Sequence, residues 1–390
     1  MIAGGCTFLN VYCTQPLLPL FQQVYHASEV EVSLTVGAVT LGVALAAPII
    51  GLLAETVGRK RVIVPALFAM AVPTILAATS GSLQALIGWR FAQGIFVPGV
   101  IAVMIAYINE EFAGRVGSVM AAYVAGTVFG GFLGRFLAGM LATHWNWRAV
   151  FVVLGGLDLL GAVAVRHWLP LAEHFVPAKP LQSLRDAWGH LHNRQLLAIY
   201  GMGMTVLFSL VGVFTYASFY LASPPFRLSS AALGSIFFVY LLGCVVTPVA
   251  GRFLDRRGFR ATALVGLFMS LIGLVLTLAP WLSIVIAGLA IFSSGVFVSQ
   301  SAGTVQTGAV AQRARSSAAG LYVTFYYLGG SLGATVPSWF WHKSGWPGCV
   351  ALLAAVCFLT LVLGLLGSRS AINPAKAGKV RGKVLRWDKF

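Results

Sequence analysis

Gly51-Leu-Leu-Ala-Glu55-Thr-Val-Gly58-Arg59-Lys60-Arg61 and Gly251-Arg-Phe-Leu-Asp255-Arg-Arg-Gly258-Phe-Arg260 lie 200 positions apart and read almost alike. Each follows one long apolar run and precedes another. A glycine, an acid four residues on, a glycine three later and then bases recur at the same point of both halves. Two more matches hold an offset of 199: Gly130-Gly131-x-x-Gly134 with Gly329-Gly330-x-x-Gly333, and Trp147 with Trp346. Such a duplication in an apolar chain is the pattern of a transporter built from two related bundles.

Charged residues make up 9% of the 390 residues and hydrophobic ones 58%, against about 25% charged in soluble domains. The chain lacks the polar groups to cover a soluble surface, so lipid is its solvent. Apolar stretches of about 20 residues define twelve spans: 2–25, 31–54, 62–80, 83–108, 116–142, 149–169, 196–222, 229–251, 261–280, 282–307, 317–342 and 346–367. The expected fold is an all-α membrane protein of twelve transmembrane helices in two pseudosymmetric six-helix bundles. Residues 1–170 form the first bundle, 171–195 a proline-containing linker, 196–367 the second bundle and 368–390 a basic tail.

The net charge of +16 suggests nucleic acid until the bases are placed. Of 26 Lys and Arg, 21 fall in the even-numbered connections and the C-terminal tail. Three (Arg148, Arg227 and Lys343) fall on the opposite side, and Arg90 and Arg135 lie within spans. This asymmetry orients the chain with both termini in the cytoplasm, and no nucleic-acid partner is needed to explain it. The tail, with seven bases and one acid, is expected to touch anionic lipid. The five cysteines fall in spans without metal-ligand or redox spacing and read as small core residues. Span one is too long for a signal peptide and has no cleavage pattern. A native start upstream of Met1 stays open.

The chain resembles the major facilitator superfamily over nearly its whole length. Gly51 to Arg61 resembles the loop 2–3 signature of that superfamily, with Glu55 where Asp is usual; the second copy keeps Asp255. Ile87-Gly-Trp-Arg90-Phe-Ala-Gln93-Gly94 resembles the span-four signature. Pro16-Leu-Leu-Pro19 resembles an element of twelve-span drug:proton antiporters. Gly126-x-x-x-Gly130-Gly131-x-x-Gly134 resembles the span-five antiporter signature, with Gly131 where Pro is usual. The chain is similar to the bacterial efflux proteins of the YnfM type. The resemblance implies a monomeric inner-membrane transporter and a gating role for Gly51, Glu55, Gly58, Arg59, Asp255 and Gly258.

A carboxylate at a helix end can dock on the N-terminus of a helix in the other half, where the dipole favours negative charge. Glu55 could meet the start of span eleven near Ser316 and Ser317, and Asp255 the start of span five near Val116 and Gly117. The alternative is pairing with bases of the same loop. Gly126, Gly130, Gly131 and Gly134 let helices approach closely or flex during opening. Pro16 and Pro19 each remove a backbone donor and kink span one.

Arg90, Arg135 and Asp158 sit deep, roughly 10–14 Å below the outer surface at 1.5 Å per residue. A lone charge there costs about 2.5–3.5 kcal/mol. Asp158 is therefore expected to pair with Arg135, or else with Arg90, and is the candidate proton carrier. Arg90 could instead hold Asn10 or Gln15 by charge-assisted hydrogen bonds, or face an anionic substrate. Glu110 and Glu111 read as solvated interfacial residues.

Asn10, Tyr12, Gln15, Thr35, Tyr216, Tyr240, Gln300, Tyr322 and Tyr326 are candidates for an aromatic-rich substrate cavity, or for ordinary helix contacts. No nucleophile–base or metal constellation is present, so no enzyme activity, cofactor or metal is expected. The leading reading is proton-driven export of a small organic compound, a drug or a sugar-like metabolite. The alternatives are an importer or facilitator on the same fold, and a non-transporting membrane sensor or assembly factor.

Overall fold

The computed structural model describes residues 1–112, 114–170, 172, 185, 188–311 and 315–368. Among them all regular structure is helical. The expected basic tail from 369 onward and most of the expected linker, 171 and 173–184 with 186 and 187, lie outside the described residues, as do residues 312–314 ahead of span eleven.

Backbone groups in lipid must be satisfied within the protein, so helix ends are capped by side chains. Span two (Glu29–Val57) starts with a capping box, in which the Glu31 carboxylate accepts from Ser28 N at 2.8 Å. Ser82 caps span four by accepting from Ala85 N, and Asn146 caps span six (Trp147–Trp168) by accepting from Ala149 N. Asn193 caps span seven (Arg194–Ala222) in the same way. Among the described residues, nine helical stretches are long and apolar enough to cross a membrane. One of them, Ser230–Leu276, holds spans eight and nine with a bend at Gly258, φ +79°. Those stretches account for ten spans.

Spans one and eleven supply the other two, and both are broken. Span one is a helix Ile2–Val11, a 3₁₀ turn Gln15–Leu17 and a helix Leu18–Tyr25. Pro16 and Pro19 explain the break, since neither can donate to the turn before it. Span eleven runs Arg315–Thr335, and a new helix starts at Pro337 and continues into span twelve past Gly345, φ +62°. Span four splits at Pro98 into Leu83–Phe96 and Pro98–Glu111. Span eight, expected as one helix, contains a 3₁₀ segment Phe237–Leu242. Cys244 is exposed rather than a core residue, whereas Cys13, Cys349 and Cys357 are buried.

The two halves are packed by the same rule. Span five (Val116–His144) lies on span one so closely that a Cβ on Gly130 would fall 2.1 Å from Gly5 O, and one on Gly134 1.8 Å from Leu9 O. Span eleven lies on span seven in the same way, with Gly329 against Met204 O at 1.9 Å and Gly333 against Phe208 O at 2.3 Å. All four residues of the second set lie 199 positions beyond those of the first. Trp147 against Phe21 (5.6 Å between ring centroids) and Trp346 against Tyr220 (5.3 Å) repeat the offset.

The halves meet on the face that carries loop 1–2. There Ala231 N donates to Thr143 Oγ1 at 3.0 Å, and His342 Nε2 lies 3.8 Å from the Glu29 carboxylate. Gly37 of span two admits Ser331 and Ala334 of span eleven, and Gly139 of span five admits Ser230 of span eight.

Gly131 differs from its neighbours, because a Cβ there would meet only Arg135 Nη1 at 3.4 Å and Phe8 Cβ at 4.0 Å. Gly134→Ala should therefore lose about 1–3 kcal/mol to overpacking, while Gly131→Ala stays within about 0.5 kcal/mol. Thermal melting of the purified variants in detergent separates them. Equal melting would mean that span five is not seated on span one through Gly134.

Candidate functional site

The break in span one leaves the last carbonyls of helix Ile2–Val11 without intrahelical partners. Arg90 supplies donors. Its Nη2 donates to Asn10 O at 2.9 Å and to Val11 O at 2.8 Å, and its Nε to Thr35 O at 3.2 Å. Its Nη1 donates to Gln93 Oε1, and Gln93 Nε2 passes the network to Thr74 Oγ1 at 2.6 Å. A cation suits this place because the C-terminal end of a helix is electronegative. Spans two and four reach backbone contact through Gly42 and Gly94, and that approach carries Arg90 to the carbonyl of Thr35. Arg90 thus does hold Asn10, but through main-chain oxygen.

Asp158 is fully buried, and its Oδ2 accepts from Asn10 Nδ2 at 2.6 Å. Its Oδ1 has no hydrogen-bond partner. The expected ion pair with Arg135 or Arg90 is not formed. Arg90 is consumed by carbonyls, and Arg135 faces across span one toward the other half. Asn10 instead joins the two networks, offering its carbonyl to Arg90 and its amide to Asp158.

Arg135 lies where the halves meet. Its Nε donates to Gln15 Oε1 at 2.7 Å and its Nη1 to Gly131 O at 2.5 Å. Three rings enclose the guanidinium: Tyr12 at 4.7 Å, Phe237 at 4.6 Å and Tyr240 at 4.6 Å from ring centroid to Cζ. Phe237 and Tyr240 stand three apart on the 3₁₀ segment, where residues at that spacing eclipse. Gln15 Nε2 then donates to Thr215 Oγ1 of span seven at 3.3 Å.

The other cavity candidates separate into two groups. Tyr326 is close to Tyr12 and Tyr240 and stacks on Tyr322 at 6.0 Å. The Tyr322 hydroxyl is buried without a partner. Tyr216 lies elsewhere, since its hydroxyl donates to Ala334 O at 3.2 Å and its ring packs on Phe219 and Trp341. Thr35 hydrogen-bonds its own helix at Val32 O. Gln300 is half-buried in span ten (Leu282–Val310), and its main-chain oxygen accepts from Thr304 Oγ1. A cavity of about 420 Å³ lies between spans one, four, five and six, lined by Tyr107, Phe112, Tyr123 and Trp168 among others.

In the loop signatures, Gly58 (φ +105°) and Gly258 (φ +79°) occupy the left-handed region, which explains the second glycine of each motif. Gly51 and Gly251 have open space around them. Arg59 forks onto Glu110, with contacts of 2.7 and 3.1 Å, so Glu110 is a paired residue rather than a solvated one. Lys60 donates to Leu169 O. Asp255 is exposed and makes no hydrogen bond or ion pair among the described residues, so it does not dock on the start of span five here. Glu55 is half-buried with polar company. Of the expected docking pair for Glu55, the Ser316 side chain lies outside what is described, and Ser317 is half-buried with polar company.

Sequence reading missed Phe237, Thr215 and Thr74. The duplication gave no pointer to Thr215, because the offset of 199 that relates spans one and seven pairs Gln15 with Phe214. The eclipsed pair Phe237 and Tyr240 had no signal either, because the span reads as a continuous helix.

Comparison with known proteins gives a consistent set. The family model for the Major Facilitator Superfamily matches residues 1–227 and 221–387. An uncharacterised MFS-type transporter, YybF, of Bacillus subtilis is 31% identical over 377 residues, covering 96% of this chain and 93% of the relative. The inner membrane transport protein YnfM of Escherichia coli is 31% identical over 365 residues, covering 93% and 88%. Among solved structures, a bacterial homolog of the human lysosomal transporter Spinster, inward-facing and occupied, superposes with TM-score 0.75 at 14% identity, covering 94% of this chain and 95% of that one. The nucleoside transporter NupG superposes with TM-score 0.76 at 14% identity, covering 94% and 98%.

Arg90→Lys keeps the charge but cannot reach Asn10, Val11, Thr35 and Gln93 together. Leaving buried carbonyls unmet costs about 1–3 kcal/mol, so the variant should melt earlier in detergent. Wild-type melting for Arg90→Lys would refute the capping role.

Proposed function

The chain belongs to the major facilitator superfamily of membrane transporters, and from that premise we propose that it exports a small organic compound by alternating access with proton antiport. The observation that carries the reading is the buried polar centre shared by both halves. Arg135 of the first half is bonded to Gln15, which bonds Thr215 of the second half, and is enclosed by Phe237 and Tyr240 of the second half. Rocking the halves about such a centre opens it to one face at a time. Contacts on the loop 1–2 face rest on glycines and single hydrogen bonds, which supports a joint that can part.

Asp158 is the proton carrier in this reading. It is buried at membrane depth beside the neutral side chains of Asn10 and Thr74 and no arginine, and intramembrane carboxyls of that kind serve proton relays. Its partner Asn10 ends the half-helix that Arg90 holds, so a change of charge at Asp158 is felt at the break in span one. Glu55 and Asp255 act as the paired latches of the loop 2–3 face. The residue set Tyr12, Gln15, Tyr240, Tyr322 and Tyr326 lines the substrate path once the halves part. The distribution of bases, 21 against three, supports cytoplasmic termini. The name of the Escherichia coli relative supports an inner-membrane location. The transporter works as a monomer in lipid, with the small molecule and protons as partners and no cofactor.

The test is flux in proteoliposomes of known orientation. Compounds that raise the melting temperature of the purified protein are assayed for movement driven by an imposed pH gradient. Wild-type protein should concentrate such a compound against the proton gradient, and Asp158→Asn should lose the driven component while keeping exchange. Undiminished driven transport in Asp158→Asn would remove the carrier role. Transport indifferent to pH in the wild type would leave a facilitator. Tags in loop 2–3 should be reached only from the cytoplasmic side.

A further inference from the structure

We propose that Arg135 is the anchor for an oxyanion of the transported compound, so that the substrate class is an organic anion with a flat, apolar body. This rests on the transport reading and gives it a chemistry. The argument starts from a missing counter-ion. The chain has ten acids, and among the described ones only Asp158 lies deep in the bundle, bound to Asn10. Arg135 is 2% exposed and its partners are an amide oxygen, a carbonyl oxygen and three rings. None of these carries negative charge.

Arg90 provides the contrast within the same bundle. All three of its nitrogens donate to protein oxygens, and spans one, two and four are tied together by it. It is spent on structure. Arg135 has hydrogen-bond acceptors for Nε and Nη1, and the rest of its fork faces rings. Rings hold a guanidinium by attraction to their electron-rich faces, yet they exchange readily for a carboxylate or phosphate, which takes two parallel hydrogen bonds from the fork. The cage therefore stores the cation in the absence of substrate.

The place of the cage explains how it would open. Tyr12 and Gln15 belong to the broken part of span one, and Phe237 and Tyr240 to the 3₁₀ segment of span eight. That segment follows Gly234, where a Cβ would fall 2.7 Å from Arg135 O, so spans five and eight touch through backbone. Separation of the halves on this face withdraws Phe237 and Tyr240 and uncovers the guanidinium. The exposed rings then offer stacking surface to a planar body. An organic cation is rejected at the same spot, because the ring faces that would receive it surround a charge of the same sign.

The measurement is thermal stabilisation of the purified full-length protein by matched one-ring probes. Benzoate, phenyl phosphate and benzenesulfonate are compared with neutral benzamide and cationic benzylammonium. One or more of the anions should stabilise, and which of them does so tells carboxylate from phosphate or sulfonate; the amide and the amine should not. Arg135→Lys should weaken the stabilising anion roughly ten- to a hundredfold, as expected for losing charge-assisted hydrogen bonds of the fork. Arg135→Gln should erase the preference for anions. Should Arg135→Gln fold poorly, Tyr240→Leu and Phe237→Leu keep the test alive, since each should shift anion affinity while leaving its preference over the amide. No stabilisation by any of the three anions overturns the assignment, as does equal stabilisation of Arg135→Gln. If instead neutral or cationic compounds stabilise the protein and are carried in proteoliposomes, the anchor fails while transport stands. If a screened library of mixed charge yields no flux, transport itself fails.

Discussion

A helix that stops partway across a bilayer leaves carbonyls that no water can reach. In this chain the helix Ile2–Val11 stops in that way, and the guanidinium of Arg90 meets its last oxygens. Because each unmet group in hydrocarbon costs several kcal/mol, Arg90 stabilises the break that Pro16 and Pro19 impose. Arg90 in turn is placed by the close approach of spans two and four at Gly42 and Gly94. Everything polar at the centre depends on this joint. It fixes Asn10, whose amide meets Asp158, and it sets the turn from which Tyr12 and Gln15 reach Arg135.

The frame of the molecule is duplicated, but its chemistry is not. Contacts of span five on span one and of span eleven on span seven repeat at an offset of 199, down to the carbonyls that the glycines admit. The same offset takes Arg135 to Ala334 and Asp158 to Cys357. It takes Asn10 to Ser209, and Cys357 Sγ lies 4.0 Å from Ser209 Oγ where Asp158 meets Asn10. The positions have kept their neighbours while the charges stand only in the first half. A charged half facing a tyrosine-rich half gives the centre a cationic wall and an aromatic one.

Two arginines at similar depth show that burial alone does not define a role. Arg90 is surrounded by oxygen lone pairs and ties helices together. Arg135 is surrounded by π faces and two oxygens, and it stands between the two halves. Backbone oxygens exposed by a helix break bind a fork permanently, because releasing them leaves them unmet. Rings have no such penalty, since they can be covered by any apolar surface.

Much of the architecture was legible in residues. Runs of apolar residues of bilayer length gave the spans, and the repeated loop signature gave the duplication, because both are properties of contiguous sequence. The breaks at Pro16 and Pro19 were legible for the same reason, and so was the need for partners at Arg90, Arg135 and Asp158. The identity of those partners was not. Depth along a helix can be counted, but the direction a side chain takes around it depends on how helices are rotated against one another. That rotation is set by glycine contacts such as Gly134 on Leu9 O. So the sequence by itself determined a doubled, lipid-immersed bundle with three buried charges. Only the tertiary structure decided that Asp158 meets an amide, that Glu110 receives Arg59, and that Arg135 is held by rings from both halves, since side-chain partners are chosen by packing across elements distant in the chain.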